Sequence, residues 1–86
     1  MPRFIAVHPT TFSEEQLQEL ARRGDEIPEG VIWYGTWCGT DDAVAYCEWA
    51  APDAATIKGV LDSMNVPVTA IQEVRSFEVK AGKFAE

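Results

Sequence analysis

Val31-Ile32-Trp33-Tyr34-Gly35-Thr36-Trp37-Cys38, then Gly39-Thr40-Asp41-Asp42, then Ala43-Val44-Ala45-Tyr46-Cys47-Glu48-Trp49-Ala50 is the stretch on which the fold turns. Two runs rich in β-branched and aromatic residues flank a Gly/Thr/Asp cluster, and that pattern reads as a β-hairpin. The hairpin holds all three tryptophans, both tyrosines and both cysteines. Any chemistry of this chain is expected on or beside it.

Upstream, Arg3 to His8 contains the apolar run Phe4-Ile5-Ala6-Val7 and stops at Pro9, which cannot donate to a ladder; it reads as a buried strand. Ser13 with Gln16 three residues on forms a capping-box signature, and Phe12 can pack on Leu17 as a hydrophobic staple. A helix from about Glu14 to Arg23 follows, with Leu17, Leu20 and Ala21 inward and Gly24 as a left-handed cap. Downstream, Ala51-Pro52-Asp53 ends the hairpin and caps a second helix, in which Ile57, Val60, Leu61 and Met64 share one face. Asn65 is its expected left-handed terminator, and Pro67 blocks continuation. Val68 to Val79 reads as a final strand with interleaved charges, as suits a sheet edge.

Strand, helix, strand, strand, helix, strand is the βαββαβ order of a ferredoxin-like α+β sandwich, with two helices on one face of a four-stranded antiparallel sheet. Right-handed crossovers put the first and third strands at its centre. The chain is then a single domain over residues 1–86, with an ordered core of about 2–79 and a tail over 80–86. The other sheet face is bare in a monomer, so a homodimer packed through it is expected.

Seven basic against fourteen acidic side chains give a net charge of -7. Nucleic-acid binding begins with a basic patch, which this sequence lacks, so DNA and RNA are set aside as partners. No apolar run approaches the ~20 residues that span a bilayer, and no signal-peptide pattern opens the chain; the expected setting is the cytoplasm, with no membrane partner. There Cys38 and Cys47 are expected as thiols, suited to metal or to burial.

His8 is the only histidine. The topology brings His8 and Cys38 to one end of the sheet, with Cys47 a few residues away on the third strand. An even-numbered turn points both cysteines to the same face. One imidazole and two thiolates are donors suited to nickel, copper or zinc and poorly suited to magnesium or calcium. The same residues admit a plainer reading, a capped histidine beside two small buried hydrophobes. Asp41 and Asp42 suit ordinary turn chemistry. Glu48 points to the opposite face of a regular strand and needs a partner there, either a cation such as Arg75 or a metal. Trp33 and Trp37 share one face of the second strand across Gly35, where with Tyr34 they could grip a flat ligand; core or dimer contacts are the favoured reading. No phosphate-binding glycine loop, paired-carboxylate motif or nucleophile elbow is present.

The run Phe4-Ile5-Ala6-Val7-His8-Pro9, the segment Gly30-Val31-Ile32-Trp33, the motif Thr36-Trp37-Cys38 and the string Tyr46-Cys47-Glu48-Trp49-Ala50-Ala51-Pro52 resemble a family of small bacterial proteins with a ferredoxin-like fold. Asn65-Val66-Pro67 and Ile71-Gln72-Glu73-Val74 match its usual ending. The family is an uncharacterised-domain group with a nickel-binding homodimeric branch. That resemblance implies a sheet-to-sheet dimer and a transition metal held by His8, Cys38, Cys47 and Glu48. The leading expectation is a divalent-metal protein for sequestration or sensing. Two rivals stand beside it: a small oxygenase or isomerase of the dimeric α+β barrel type, with its cleft at Trp33, Tyr34 and Trp37, and a ligand- or partner-binding module without catalysis.

Overall fold

The computed structural model describes residues 1–85. Strand β1 spans Arg3–His8, helix α1 Glu14–Arg22, strand β2 Ile32–Cys38, strand β3 Ala45–Ala50, helix α2 Ala54–Ser63 and strand β4 Ala70–Val74. The sheet order is β2-β3-β1-β4 with every neighbouring pair antiparallel, so β1 and β3 are central, as the crossover rule requires. This is the ferredoxin-like α+β architecture.

Alternation along β1 and β3 sends Phe4, Ala6, His8, Cys47 and Trp49 under the helices, where they are buried with Ile57, Val60, Leu61 and Met64 of the α2 segment. The two helices attach differently. Ile57, Val60 and Leu61 of α2 are buried, whereas no residue of α1 is. Helix α1 is held at its start by the capping box: the Gln16 amide donates to Ser13 Oγ at 3.1 Å, and the Ser13 amide donates to Gln16 Oε1 at 2.8 Å. Leu17 and Leu20 line an apolar crevice with Phe12, Trp33 and Leu61.

Three local expectations need correction. Gly24 does not adopt a left-handed conformation; it begins a 3-10 turn over Gly24–Glu26, and Arg23 closes the helix while its guanidinium bonds Glu26 at 2.8 Å. The final strand does not run from Val68 to Val79. It ends at Val74, and the chain leaves the sheet to form a separate hairpin of β5, Phe77–Glu78, and β6, Lys83–Phe84. Residues 80–85 are therefore part of an arm, turned at Gly82, whose φ of 69° suits glycine, and pinned by the edge-to-face contact of Phe77 and Phe84 at 5.4 Å. Residue 86 of the expected tail lies outside the described residues.

The end of α2 follows the sequence reading closely. Asn65 is left-handed at φ 58°, the Val66 amide donates to the Leu61 carbonyl at 2.9 Å and the Asn65 amide to Asp62 at 3.1 Å, which together make a Schellman motif. Val66 is thereby turned into the core, and the carbonyl of Pro67 is delivered over β1.

Candidate metal centre

His8 and Cys38 both lie opposite Ala45, one on β1 and the other on β2, so all three share a row at one end of the sheet. Cys47 sits one step further along the same face, opposite Ala6 and Thr36. His8 is fully buried and reaches diagonally so that its Nε2 stands 3.1 Å from Cys47 Sγ. Its other nitrogen, Nδ1, lies 2.8 Å from the Pro67 carbonyl. A carbonyl only accepts, so Nδ1 carries the proton and Nε2 presents its lone pair to the thiol. The Cys47 S–H donates to that lone pair.

The relay continues on the far side of the sulfur. Trp33 Nε1 donates to Thr36 Oγ1 at 3.0 Å, which leaves the threonine proton for Cys47 Sγ at 3.0 Å. Every member has a partner, and that is why a histidine and a cysteine can lie buried together. Burial pushes the Cys47 thiol above the ordinary value of 9.0; Thr36 opposes the shift, the nearby Cys38 adds to it and Trp33 opposes it. Burial therefore favours the protonated thiol over the thiolate at Cys47.

The other expected ligands are not drawn in equally. Cys38 occupies the same face, but two strand spacings, about 10 Å, separate its backbone from that of His8, and its thiol points at the Phe12 carbonyl at 3.6 Å. Glu48 lies on the open face and pairs with Arg3, whose guanidinium also covers the Tyr34 ring at 3.9 Å. The partner is Arg3 rather than Arg75, which instead stacks over Phe84 at 4.0 Å. Glu48 is therefore not part of the His8 group. Asp41 and Asp42 are exposed in the β2–β3 turn. Gly39 is required there, since a Cβ would stand 2.7 Å from the Asp42 carbonyl oxygen. Among the described residues, no three His, Cys, Asp or Glu side chains are gathered as a metal-binding group.

The tryptophan cleft is not formed. A β-bulge sets Tyr34 and Gly35 together against Glu48, and the extra residue reverses the alternation along β2. Trp33 turns inward to stack on Trp49 at 5.9 Å, while Trp37 and Tyr34 stay exposed on the opposite face. A strict two-residue period is what placed Trp33 and Trp37 together in the sequence reading. Thr36 and the Pro67 carbonyl were missed: Thr36 pairs with Cys47 in the unbroken register on the turn side of the bulge, so the two-residue period that aligned the cysteines could have found it, whereas a backbone oxygen leaves no side-chain signal.

With the geometry in place, residues 4–74 match the family described as nickel responsive protein, SCO4226-like. The chain belongs to the SCO4226-like family. The crystal structure of SCO4226 from Streptomyces coelicolor A3(2) superposes with a TM-score of 0.65 and 24% identity, covering 84% of this chain and 94% of that one, which establishes the shared fold. No curated protein matches the chain. The matched segment of this SCO4226-like domain contains all of His8, Thr36, Cys38, Cys47 and Pro67 and stops where the arm begins. No helix among the described residues is long and apolar enough to cross a membrane.

Proposed function

We propose that this protein takes up a divalent transition metal, nickel foremost, through His8 and Cys47, for sensing or sequestration, and that it acts as a homodimer joined through the open sheet faces. The observation that carries the metal reading is the 3.1 Å separation of His8 Nε2 and Cys47 Sγ. Ligands about 2.0 and 2.3 Å from one ion stand about 3.1 Å apart when they subtend a right angle and about 3.5 Å apart at a tetrahedral one. A separation of 3.1 Å thus lets both atoms reach one ion, and an imidazole with a thiolate is a donor pair suited to nickel(II), copper(II) or zinc(II). The description of the family as nickel responsive puts nickel first among them.

The surrounding residues suit the task. The Pro67 carbonyl fixes the imidazole tautomer so that Nε2 faces the sulfur, the role that outer partners play for ligating histidines. Thr36 donates to the sulfur and favours its thiolate form. Cys38, released from Phe12, is the third donor from the same face. Burial of the pair makes uptake depend on a local opening under α1, the helix with no buried residue. The aromatic residues Tyr34, Trp37 and Tyr46 on the open face support the dimer reading.

Titration of the reduced, tag-free protein with nickel, followed by near-ultraviolet absorption, tests the reading. Thiolate-to-metal charge-transfer bands saturating at a fixed ratio are expected, lost in His8→Ala and Cys47→Ser and weakened in Cys38→Ser. Because the Cys47 proton must leave, affinity should rise about tenfold per pH unit below the thiol pKa. Bands that persist in Cys47→Ser would rule out this ligand pair.

A further inference from the structure

His8, Cys38 and Cys47 have one neighbour in common. Phe12, in the segment between β1 and α1, sets its ring edge-on to that of His8 at 5.5 Å between centroids. Its carbonyl accepts from the Cys38 thiol at 3.6 Å. Its side chain shares with Cys47 the wall of the apolar crevice that Leu17, Leu20 and Trp33 also line. This cover is lightly fastened. Among the described residues, no backbone hydrogen bond joins residues 9–12 to another element, and the Cys38 thiol makes the one side-chain bond that does. Phe12, Leu17 and Leu20 are only half-buried, and the capping box that starts α1 lies wholly within Ser13–Gln16. Lifting this part therefore sacrifices half-buried apolar contacts and one thiol bond, whereas freeing α2 would expose Ile57, Val60 and Leu61, all buried.

We propose that Phe12 is a latch over the metal pair: Phe12 and α1 lift from the sheet as a unit while α2 and the sheet stay folded, and this opening exposes His8 Nε2 and Cys47 Sγ and frees Cys38. The latch takes its purpose from the metal reading proposed above and rests on it. In the closed chain every donor is already engaged, His8 Nε2 with Cys47 and the Cys38 thiol with Phe12. Turning all three toward one ion takes the thiol donor away from the Phe12 carbonyl, so bound metal favours the open position. The affinity observed is then the intrinsic affinity scaled by the fraction of chains that are open. Occupancy of the site is thereby converted into displacement of α1, the moving part that a sensor requires.

The test reads the latch first without metal. In Cys38→Ser the only thiol left is Cys47, and the serine hydroxyl can still donate to the Phe12 carbonyl. Labelling of that thiol by iodoacetamide in the folded, metal-free chain should respond little to low concentrations of urea, because a local opening exposes little surface, whereas access through global unfolding would carry the full denaturant slope. Phe12→Ala in this background should speed labelling about tenfold or more, and Trp37→Ala, on the open face, should leave the rate unchanged. Phe12→Leu, which keeps an apolar side chain, serves in its place if circular dichroism shows that Phe12→Ala is unfolded. With both cysteines present, the same Phe12 substitution should tighten nickel binding by the factor by which it speeds labelling, since both scale with the open fraction. Labelling that follows global unfolding, or nickel affinity that stays fixed while labelling accelerates, would overturn the latch and leave the metal pair standing. Rapid labelling that depends on Phe12, in a chain that develops no nickel bands, would uphold the latch as the route to Cys47 and overturn the metal reading.

Discussion

The two faces of one sheet solve the same problem in opposite ways. Beneath the helices, His8 and Cys47 are enclosed and bound into a chain of partners that runs from Trp33 to Pro67. On the open side, Arg3 and Glu48 lean on each other and on Tyr34 while water reaches all three. The groups of the His8–Cys47 relay are fixed because losing a partner there costs the full desolvation of what remains, the Trp49 indole N–H being a buried polar atom of the same face that has no partner. Those on the open face can exchange protein for solvent at little cost, which suits a surface kept for binding.

The sharpest contrast is between two tryptophans. Trp49 is 2% exposed and stacked on Trp33, so Trp49→Ala should cost about 3–5 kcal/mol in denaturant unfolding. Trp37→Ala, measured at dilutions where only monomer is present, should fall within about 0.5 kcal/mol of native. Equal losses would erase the distinction between the faces. Next in size, His8→Ala leaves the Pro67 carbonyl and the Cys47 thiol unpartnered and opens a cavity, for an expected loss of about 2–4 kcal/mol in the same experiment.

A pH series sharpens the picture of the enclosed thiol. Its folded pKa is raised by burial, so its contribution is fully present below the ordinary thiol value of 9.0 and is lost as pH rises through the folded value. Stability should decline from the ordinary thiol value up to the folded value with a slope of up to about 1.4 kcal/mol per pH unit for the one proton and level off beyond it, and Cys47→Ser should remove this share of the decline. The smallest effect is expected on the open face. Glu48→Gln should cost about 0–1 kcal/mol and less as salt is added, because the Arg3–Glu48 pair is part-exposed.

Legibility in the sequence followed the range of the interactions. The capping box at Ser13, the left-handed Asn65 and the hairpin about Gly39 were readable because each is decided by residues within a few positions. Placing His8, Cys38 and Cys47 on one face at one end of the sheet was also readable, through the strand order. The bulge at Tyr34 and Gly35 was not, since nothing local demands it: a Cβ at Gly35 would meet open space. It follows from Trp33 stacking on Trp49 while Thr36 meets Cys47. The break in the last strand after Val74 was missed because charged residues interleave with apolar ones on both sides of it, although the three-residue step from Val74 to Phe77 departs from a strand's two-residue period.

By itself, then, the sequence determined the βαββαβ order, the helix ends, the antiparallel sheet and the common face of the histidine and cysteines, all consequences of periodicity and capping. Tertiary structure alone decided which donors meet: it brought His8 Nε2 to Cys47, gave Glu48 Arg3 as its partner, parted Trp33 from Trp37 and folded the arm as a separate hairpin. The physical reason is that a side chain's neighbours across strands depend on register to the single residue. One inserted position reverses a face, and only packing across the whole core selects where that insertion falls.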